Sequence, residues 1–216
     1  VNIVAAMSND PVTGAPPVVL AFAPSDPSGG GGVQADLLTL SSMGCHALTV
    51  VTAITVQDTT GIEGVMPIEA EWVADQARSL LEDMPVDAFK IGALASVENI
   101  AAVAEILSDY PDVPLILDPA LSSGRADAQV ADAMKHALRD LLLPQTTVAT
   151  VNGHELRLLA ESDDEGEVAT ADAAARLCAA GCEFVLVTGT HDGGREIVNT
   201  LYGKGGAVRS DRWTRL

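Results

Sequence analysis

The strongest constraint on the fold is a regular alternation along the chain. Short apolar runs at Val18–Ala23, Leu48–Val56, Ala88–Ile91, Leu115–Leu117, Thr147–Val151 and Phe184–Val187 are separated by segments of helical periodicity. The helical segments are Val33–Met43, Glu69–Asp83, Val97–Leu107, Gln129–Leu142, and two around Glu155–Ala160 and Ala171–Ala180. Apolar runs without polar alternation predict strands buried on both faces, and the helices between them predict parallel connections. Ligands of such sheets bind beyond the carboxyl ends of the strands, so the loops that follow them are where chemistry is sought. The last stretch breaks the pattern. Glu196–Tyr202, Gly203-Lys204-Gly205-Gly206 and Ala207–Trp213 predict a hairpin with a glycine turn. In the first helix, Val33, Leu37 and Leu40 share one face, and Gly44 stops it.

Composition narrows the class. The chain is 48% hydrophobic with 3% aromatic residues, so Ala, Val, Leu and Ile must build the core. Thirty acidic against 12 basic side chains give a net charge of −18, which argues against a phosphate-backbone partner. No apolar run approaches the roughly 18–20 residues of a membrane span, and the start lacks the pattern of a signal peptide, so a cytoplasmic protein with no membrane or nucleic-acid partner is expected. Residues 1–16 read as a flexible lead-in and 17–216 as one domain. Cys45, Cys178 and Cys182 are too few and too irregular for a disulfide framework or a four-ligand zinc site. Cys178 and Cys182 lie one helical turn apart in an Ala-rich segment, which suits small core residues. The acidic run from Glu161 to Glu167 reads as a solvated loop.

The first loop, Ser25-Asp26-Pro27-Ser28-Gly29-Gly30-Gly31-Gly32-Val33-Gln34-Ala35-Asp36, is tested against known phosphate cradles. No Gly-Lys-Ser/Thr follows the glycines, so it is not a P-loop. Gly30-x-Gly32-x-x-Ala35, with Gln57-Asp58 ending the next strand, leaves an NAD-binding oxidoreductase as a competitor. Two prolines and an aspartate between strand and glycines fit that turn poorly. A plain flexible linker would not need Asp26 and Asp36 on either side.

The same loop resembles the signature of the hydroxymethylpyrimidine and phosphomethylpyrimidine kinases, members of the ribokinase-like superfamily. The resemblance continues through Thr52-Ala53-Ile54-Thr55-Val56-Gln57-Asp58-Thr59, Phe89-Lys90-Ile91-Gly92, Leu117-Asp118-Pro119, Asn152-Gly153-His154-Glu155-Leu156 and Val187-Thr188-Gly189-Thr190-His191. It runs in register over about residues 18–216. The implied fold is α/β, a ribokinase-like three-layer α/β/α sandwich with a mostly parallel central sheet and a hairpin near the C-terminus. The implied activity is ATP-dependent, Mg²⁺-assisted phosphorylation of 4-amino-5-hydroxymethyl-2-methylpyrimidine and its monophosphate in thiamin synthesis. Pyridoxal or pyridoxine phosphorylation and non-catalytic pyrimidine binding stand as alternatives. Relatives are often dimers, which implies a homodimer.

Site residues follow from the same motifs. The resemblance implies substrate contacts at Asp36, Val56, Gln57 and Ala93. A Gln amide can pair with an exocyclic amine and the adjacent ring nitrogen together. Taken without the resemblance, Gln57 reads as a solvent-facing strand end and Asp36 as a favourable charge in the first helical turn. Asp118, Asn152, Thr188 and Gly189 are implied to meet ATP, and Glu155 to organise Mg²⁺ with its water. Asn152 also reads as the cap of its helix. Thr188 stands where many relatives carry Lys, Pro24 where they carry Gly, and Ala93 where they often carry Met. With so acidic a chain, positive potential must come from Mg²⁺, helix N-termini and the basic hairpin, which holds Arg195, Lys204, Arg209, Arg212 and Arg215. Lys90 is a lone cation in an apolar stretch, suited to pairing with a buried acid. The family's Gly-rich anion hole, with its catalytic Cys or Asp, is expected beyond Leu216, so no catalytic base is assigned within the chain.

Overall fold

Leu20, Phe22, Phe89, Ile91, Leu115 and Leu117 are almost wholly buried, and they line up across neighbouring strands of one sheet. The computed structural model describes residues 14–121, 128–162, 166–189 and 195–215. Its elements are β1 (Val18–Ser25), α1 (Gly32–Ser42), β2 (His46–Gln57), β3 (Ile62–Pro67), α2 (Ala70–Asp83), β4 (Ala88–Ile91), α3 (Val97–Ser108) and β5 (Leu115–Leu117). There follow α4 (Ala128–Ala137), β6 (Val148–Asn152), α5 (Gly153–Ala160), α6 (Glu167–Ala179), β7 (Phe184–Thr188), β8 (Glu196–Gly203) and β9 (Gly206–Thr214).

The strand order is β3-β2-β1-β4-β5-β6-β7-β8-β9. The six inner strands from β2 to β7 are parallel, and β3, β8 and β9 are antiparallel to their neighbours. The chain moves one way from β1 to β2 and the other way from β2 across to β4 and onward. Right-handed crossovers therefore place α1 on one face and α2 to α6 on the other. The main apolar core lies under α2 to α6, where Leu20, Phe22, Val73, Phe89, Ile100, Val103 and Leu156 meet. Small residues Ala21 and Ala23 are buried on the opposite side, under α1. This is the expected three-layer α/β/α sandwich with a mostly parallel sheet and a C-terminal hairpin.

Three features differ from the sequence expectation. β3 is an additional strand, paired antiparallel to β2 through Ala53↔Pro67 to Gln57↔Ile62. The helix expected over Gln129–Leu142 loosens after Ala137 into a π turn at Leu138–Leu142 and a 3₁₀ turn at Leu143–Gln145. Pro144 sits inside that second turn and cannot donate to a continuing helix. On α1 only Val33 is buried, while Leu37 and Leu38 are 44% and 67% exposed. Among the described residues this helix makes its main contacts with β1 and β2 and none of comparable size with another helix, so a wider apolar stripe has nothing to cover. Most of the 1–16 lead-in, Thr190-His191 and part of the acidic run lie outside the described residues. No described helix is long and apolar enough to cross a membrane.

Candidate active site

Because β1, β2, β4, β5, β6 and β7 are parallel, their carboxyl ends share one edge of the sheet, and the loops there build the site. The loop after β1 is organised by a buried carboxylate. Asp26 is 2% exposed, and its Oδ1 accepts hydrogen bonds from Ser28 N at 2.8 Å and Ser28 Oγ at 2.7 Å. Oδ2 accepts from Gly31 N at 2.8 Å and from Gln57 Nε2 at 3.1 Å. Burial pushes the Asp26 carboxyl upward, but the hydrogen bonds from Ser28, Gly31 and Gly30 outweigh it and hold the group below the usual carboxylate range. The loop then turns into α1 through Gly32, whose φ is +61° and whose missing Cβ would lie 2.2 Å from the Pro24 carbonyl oxygen. Gln34 ties the helix back to the strand. Its Oε1 accepts from Asp26 N at 2.9 Å and its Nε2 donates to Ser25 Oγ at 2.8 Å. Gly30 N and Gly31 N are thus already committed to Ser28 Oγ and Asp26, which disfavours the dinucleotide cradle that the glycine spacing left open.

Lys90, in the middle of β4, reaches the face under α1 and donates to Asp36 Oδ2 at 3.0 Å. Both side chains are about one-fifth exposed, at 23% and 17%. The lone cation therefore has the acidic partner that its apolar context demanded. Asp118 begins the loop after β5, and its N–H donates to the Ile91 carbonyl at 2.7 Å. Burial pushes the Asp118 carboxyl above its ordinary value. Lys90 opposes this shift, and the carboxylates of Glu155 and Asp36 add to it.

These loops surround a cavity of about 620 Å³, within the range of small-molecule sites. Gln57, Ala93, Lys90 and Asp118 line it, together with Asp26 and the β3 residues Glu63 and Gly64. Asp36 stands behind Lys90 rather than on the wall. Val56 also lies off the wall: strand alternation sends Thr55 and Gln57 to the cavity and leaves Val56 60% exposed.

The other residues form a second group farther along the edge. Asn152 and Thr188 are register partners on β6 and β7. Asn152 Oδ1 accepts from His154 N and Glu155 N, each at 2.9 Å, and Glu155 Oε2 accepts from Asn152 N at 3.0 Å. This capping box closes the start of α5 and keeps Glu155 buried at 5% exposure. Gly189 N donates to Asn199 Oδ1 at 3.1 Å. Among the described residues no cluster of three or more His, Cys, Asp or Glu side chains could hold a metal ion alone. Two of the five cations of the basic stretch are paired within the hairpin itself, Arg209 with Asp211 at 2.7 Å and Arg212 with Glu196 at 3.6 Å.

Two contributors were missed in the sequence. Asp26 is the hub of the first loop, and its signal was available, because Asp-x-Ser is a side-chain-to-backbone turn pattern. Glu63 reaches the cavity only through β3, whose register no sequence feature revealed.

Comparison with known proteins fits this geometry. Residues 26–216 match the family model described as Phosphomethylpyrimidine kinase. The chain is 40% identical over 181 residues to the hydroxymethylpyrimidine/phosphomethylpyrimidine kinase of Streptomyces coelicolor, covering 84% of this chain and 66% of that one. It is 42% identical over 174 residues to the enzyme of the same description from Mycobacterium leprae, covering 80% of this chain and 62% of the other. The chain thus spans slightly under two thirds of the length of these relatives. Among solved structures it resembles phosphomethylpyrimidine kinase from Clostridium difficile 630, with a TM-score of 0.78 and 30% identity over 92% of this chain and 84% of that one. An ADP complex of Bacillus subtilis pyridoxal kinase gives a TM-score of 0.80 at 27% identity, covering 92% of this chain and 75% of that one. The glycine loop closed around Asp26, the Gln57 strand end and the Asn152 capping box all lie inside the matched region, and the chain belongs to the phosphomethylpyrimidine kinase family.

Proposed function

We propose that this chain carries the pyrimidine- and nucleotide-binding part of a kinase that phosphorylates 4-amino-5-hydroxymethyl-2-methylpyrimidine and its monophosphate with ATP. The observation that carries the reading is the cavity at the carboxyl edge of the sheet, where the Gln57 amide stands on the wall with Ala93, Lys90 and Asp118. An aminopyrimidine offers an N–H donor beside a ring-nitrogen acceptor, and one amide can pair with both. Asp36 acts through Lys90, holding the ammonium in place near the substrate. Asn152, Thr188 and Gly189, one strand farther along, supply the nucleotide side.

The donor set suits Mg²⁺ bound with most of its water. That ion is commonly held by one or two carboxylates plus substrate phosphates, and Asp118 and Glu155 interact electrostatically without forming a cage. When bound, Mg²⁺ supplies the charge neutralisation that phosphates need in so acidic a chain. The chain's own residues position the reactants, and transfer by positioning and electrostatics is what phosphoryl chemistry asks of a protein. An ADP-release assay on the full-length protein, with each pyrimidine and with pyridoxal, tests the reading. Turnover of the pyrimidines supports it, whereas turnover of pyridoxal with neither pyrimidine phosphorylated would replace it with the vitamin B6 reading that the Bacillus neighbour suggests.

A further inference from the structure

An amide side chain carries a donor and an acceptor of nearly the same shape, so turning it over about its last bond exchanges the code it offers a ligand. Free in solution, Gln57 would present either edge. In the fold its Nε2 donates to Asp26 Oδ2 at 3.1 Å, while its Oε1 accepts no hydrogen bond among the described residues. An ionised carboxylate only accepts, so Asp26 tolerates the Nε2 side of the amide and repels the Oε1 side. Asp26 is itself immobilised by Ser28 and Gly31. The strand bearing Gln57 is fixed to the same loop, because Thr55 Oγ1 donates to the Ser25 carbonyl at 3.0 Å.

We propose that Asp26 is a positioning residue that sets the polarity of the Gln57 amide, so that the cavity accepts a ring with an amino donor beside a ring-nitrogen acceptor and rejects the inverse edge. The inference rests on the pyrimidine-binding reading above. One Nε2 hydrogen is committed to Asp26 and the other remains for the ring nitrogen, with Oε1 facing the amine. A 4-oxo pyrimidine presents a carbonyl acceptor beside a ring N–H, which sets acceptor against acceptor and donor against donor.

Calorimetric titration of the chain with 4-amino-5-hydroxymethyl-2-methylpyrimidine and with its 4-oxo counterpart tests the proposal. Wild type should prefer the amino compound by about tenfold or more. In Asp26→Asn, Oδ1 keeps the Ser28 donors, while the new Nδ2 takes the place of Oδ2, giving up the bond from Gly31 N and presenting a donor to Gln57, so the amide should turn over and the amino-to-oxo ratio should fall at least tenfold. Misfolded material cancels from a ratio measured on one sample. Equal weakening of both ligands, with the ratio unchanged, would overturn the proposal and leave the pyrimidine reading standing. Wild type binding neither ring would overturn both. Gln57→Leu should bring the ratio close to one, and retention of the wild-type ratio would also overturn the proposal. Should Asp26→Asn fail to fold, ¹H–¹⁵N spectra of wild type decide. The Gln57 side-chain amide, identified by its loss in Gln57→Leu, should show one downfield, slowly exchanging proton, and two protons at free-glutamine positions would be the contrary result.

Discussion

Lys90 Nζ lies 3.0 Å from Asp36 Oδ2, joining the middle of β4 to the second turn of α1 across the thinly covered face of the sheet. Removing the ammonium leaves a mostly buried carboxylate without its partner. Lys90→Met should lower stability by about 2 kcal/mol, less than a fully buried pair would lose because both side chains keep some water contact. The double variant Lys90→Met, Asp36→Asn should recover part of that loss. Urea midpoints at pH 7 for the four proteins of the cycle measure the coupling, and additive losses would show that the pair does not interact.

Asp118 behaves in the opposite sense to Asp26. Burial raises its folded pKa above the unfolded value of 3.8, so the folded state binds the proton more tightly than the unfolded chain does. Its contribution to stability is most favourable below 3.8 and falls as pH rises towards the folded pKa. Asp118→Asn should therefore raise the melting temperature at pH 7, with the gain shrinking as pH approaches 4, while ligand binding at the carboxyl edge weakens. Melting curves over this range give the answer, and a destabilised variant at pH 7 would contradict the burial argument.

The two left-handed glycines of the first loop should respond differently to a methyl group. Gly29 has φ +71° with no atom within 4 Å of an added Cβ, whereas the Cβ of an alanine at 32 would meet the Pro24 carbonyl oxygen at 2.2 Å. Gly29→Ala should cost about 1 kcal/mol from backbone conformation alone. Gly32→Ala must also displace the turn around Asp26 and should cost about 3 kcal/mol. Chemical denaturation compares them directly, and equal losses would mean that the loop relaxes freely.

The thiols should separate by reactivity. Cys45 is partly exposed, Cys178 and Cys182 are buried, and burial pushes the Cys182 thiol up to about 12. Burial also raises Cys178. Alkylation of the native chain at pH 8 should modify Cys45 quickly and spare the other two until urea is added. Peptide mass mapping reads the outcome.

What the sequence disclosed, and what it concealed, has a physical pattern. The inner strands were legible because burial on both faces writes a continuous apolar run, and Ala88–Ile91 and Leu115–Leu117 are found with the expected bounds. Ile62–Pro67 was hidden because an edge strand needs no apolar face. Its Glu63, Gly64 and Pro67 break up any apolar run, and most of its residues are exposed. The stripe on α1 was legible as a pattern but only partly as burial, since Val33 is buried and Leu40 half-buried while Leu37, on the same face, is 44% exposed. Within the site, the strand ends bearing Gln57, Asp118 and Asn152 could be placed from alternation and motif order. The bond from Gln57 to Asp26 spans 31 residues, and only the register of β1 against β2 brings the two together.

The strand order has a further consequence, which concerns the time course of folding. β8 and β9 are joined by a two-residue turn and close on themselves, whereas β1 needs β2 on one side and β4, some seventy residues later, on the other. Loop closure makes the distant pairing slow. Pulsed hydrogen exchange during refolding should therefore protect amides of the terminal ribbon before those of Val19–Phe22, and simultaneous protection would indicate that the ribbon forms only when the sheet is complete. β1, an interior strand of this sheet, is among the last to be enclosed.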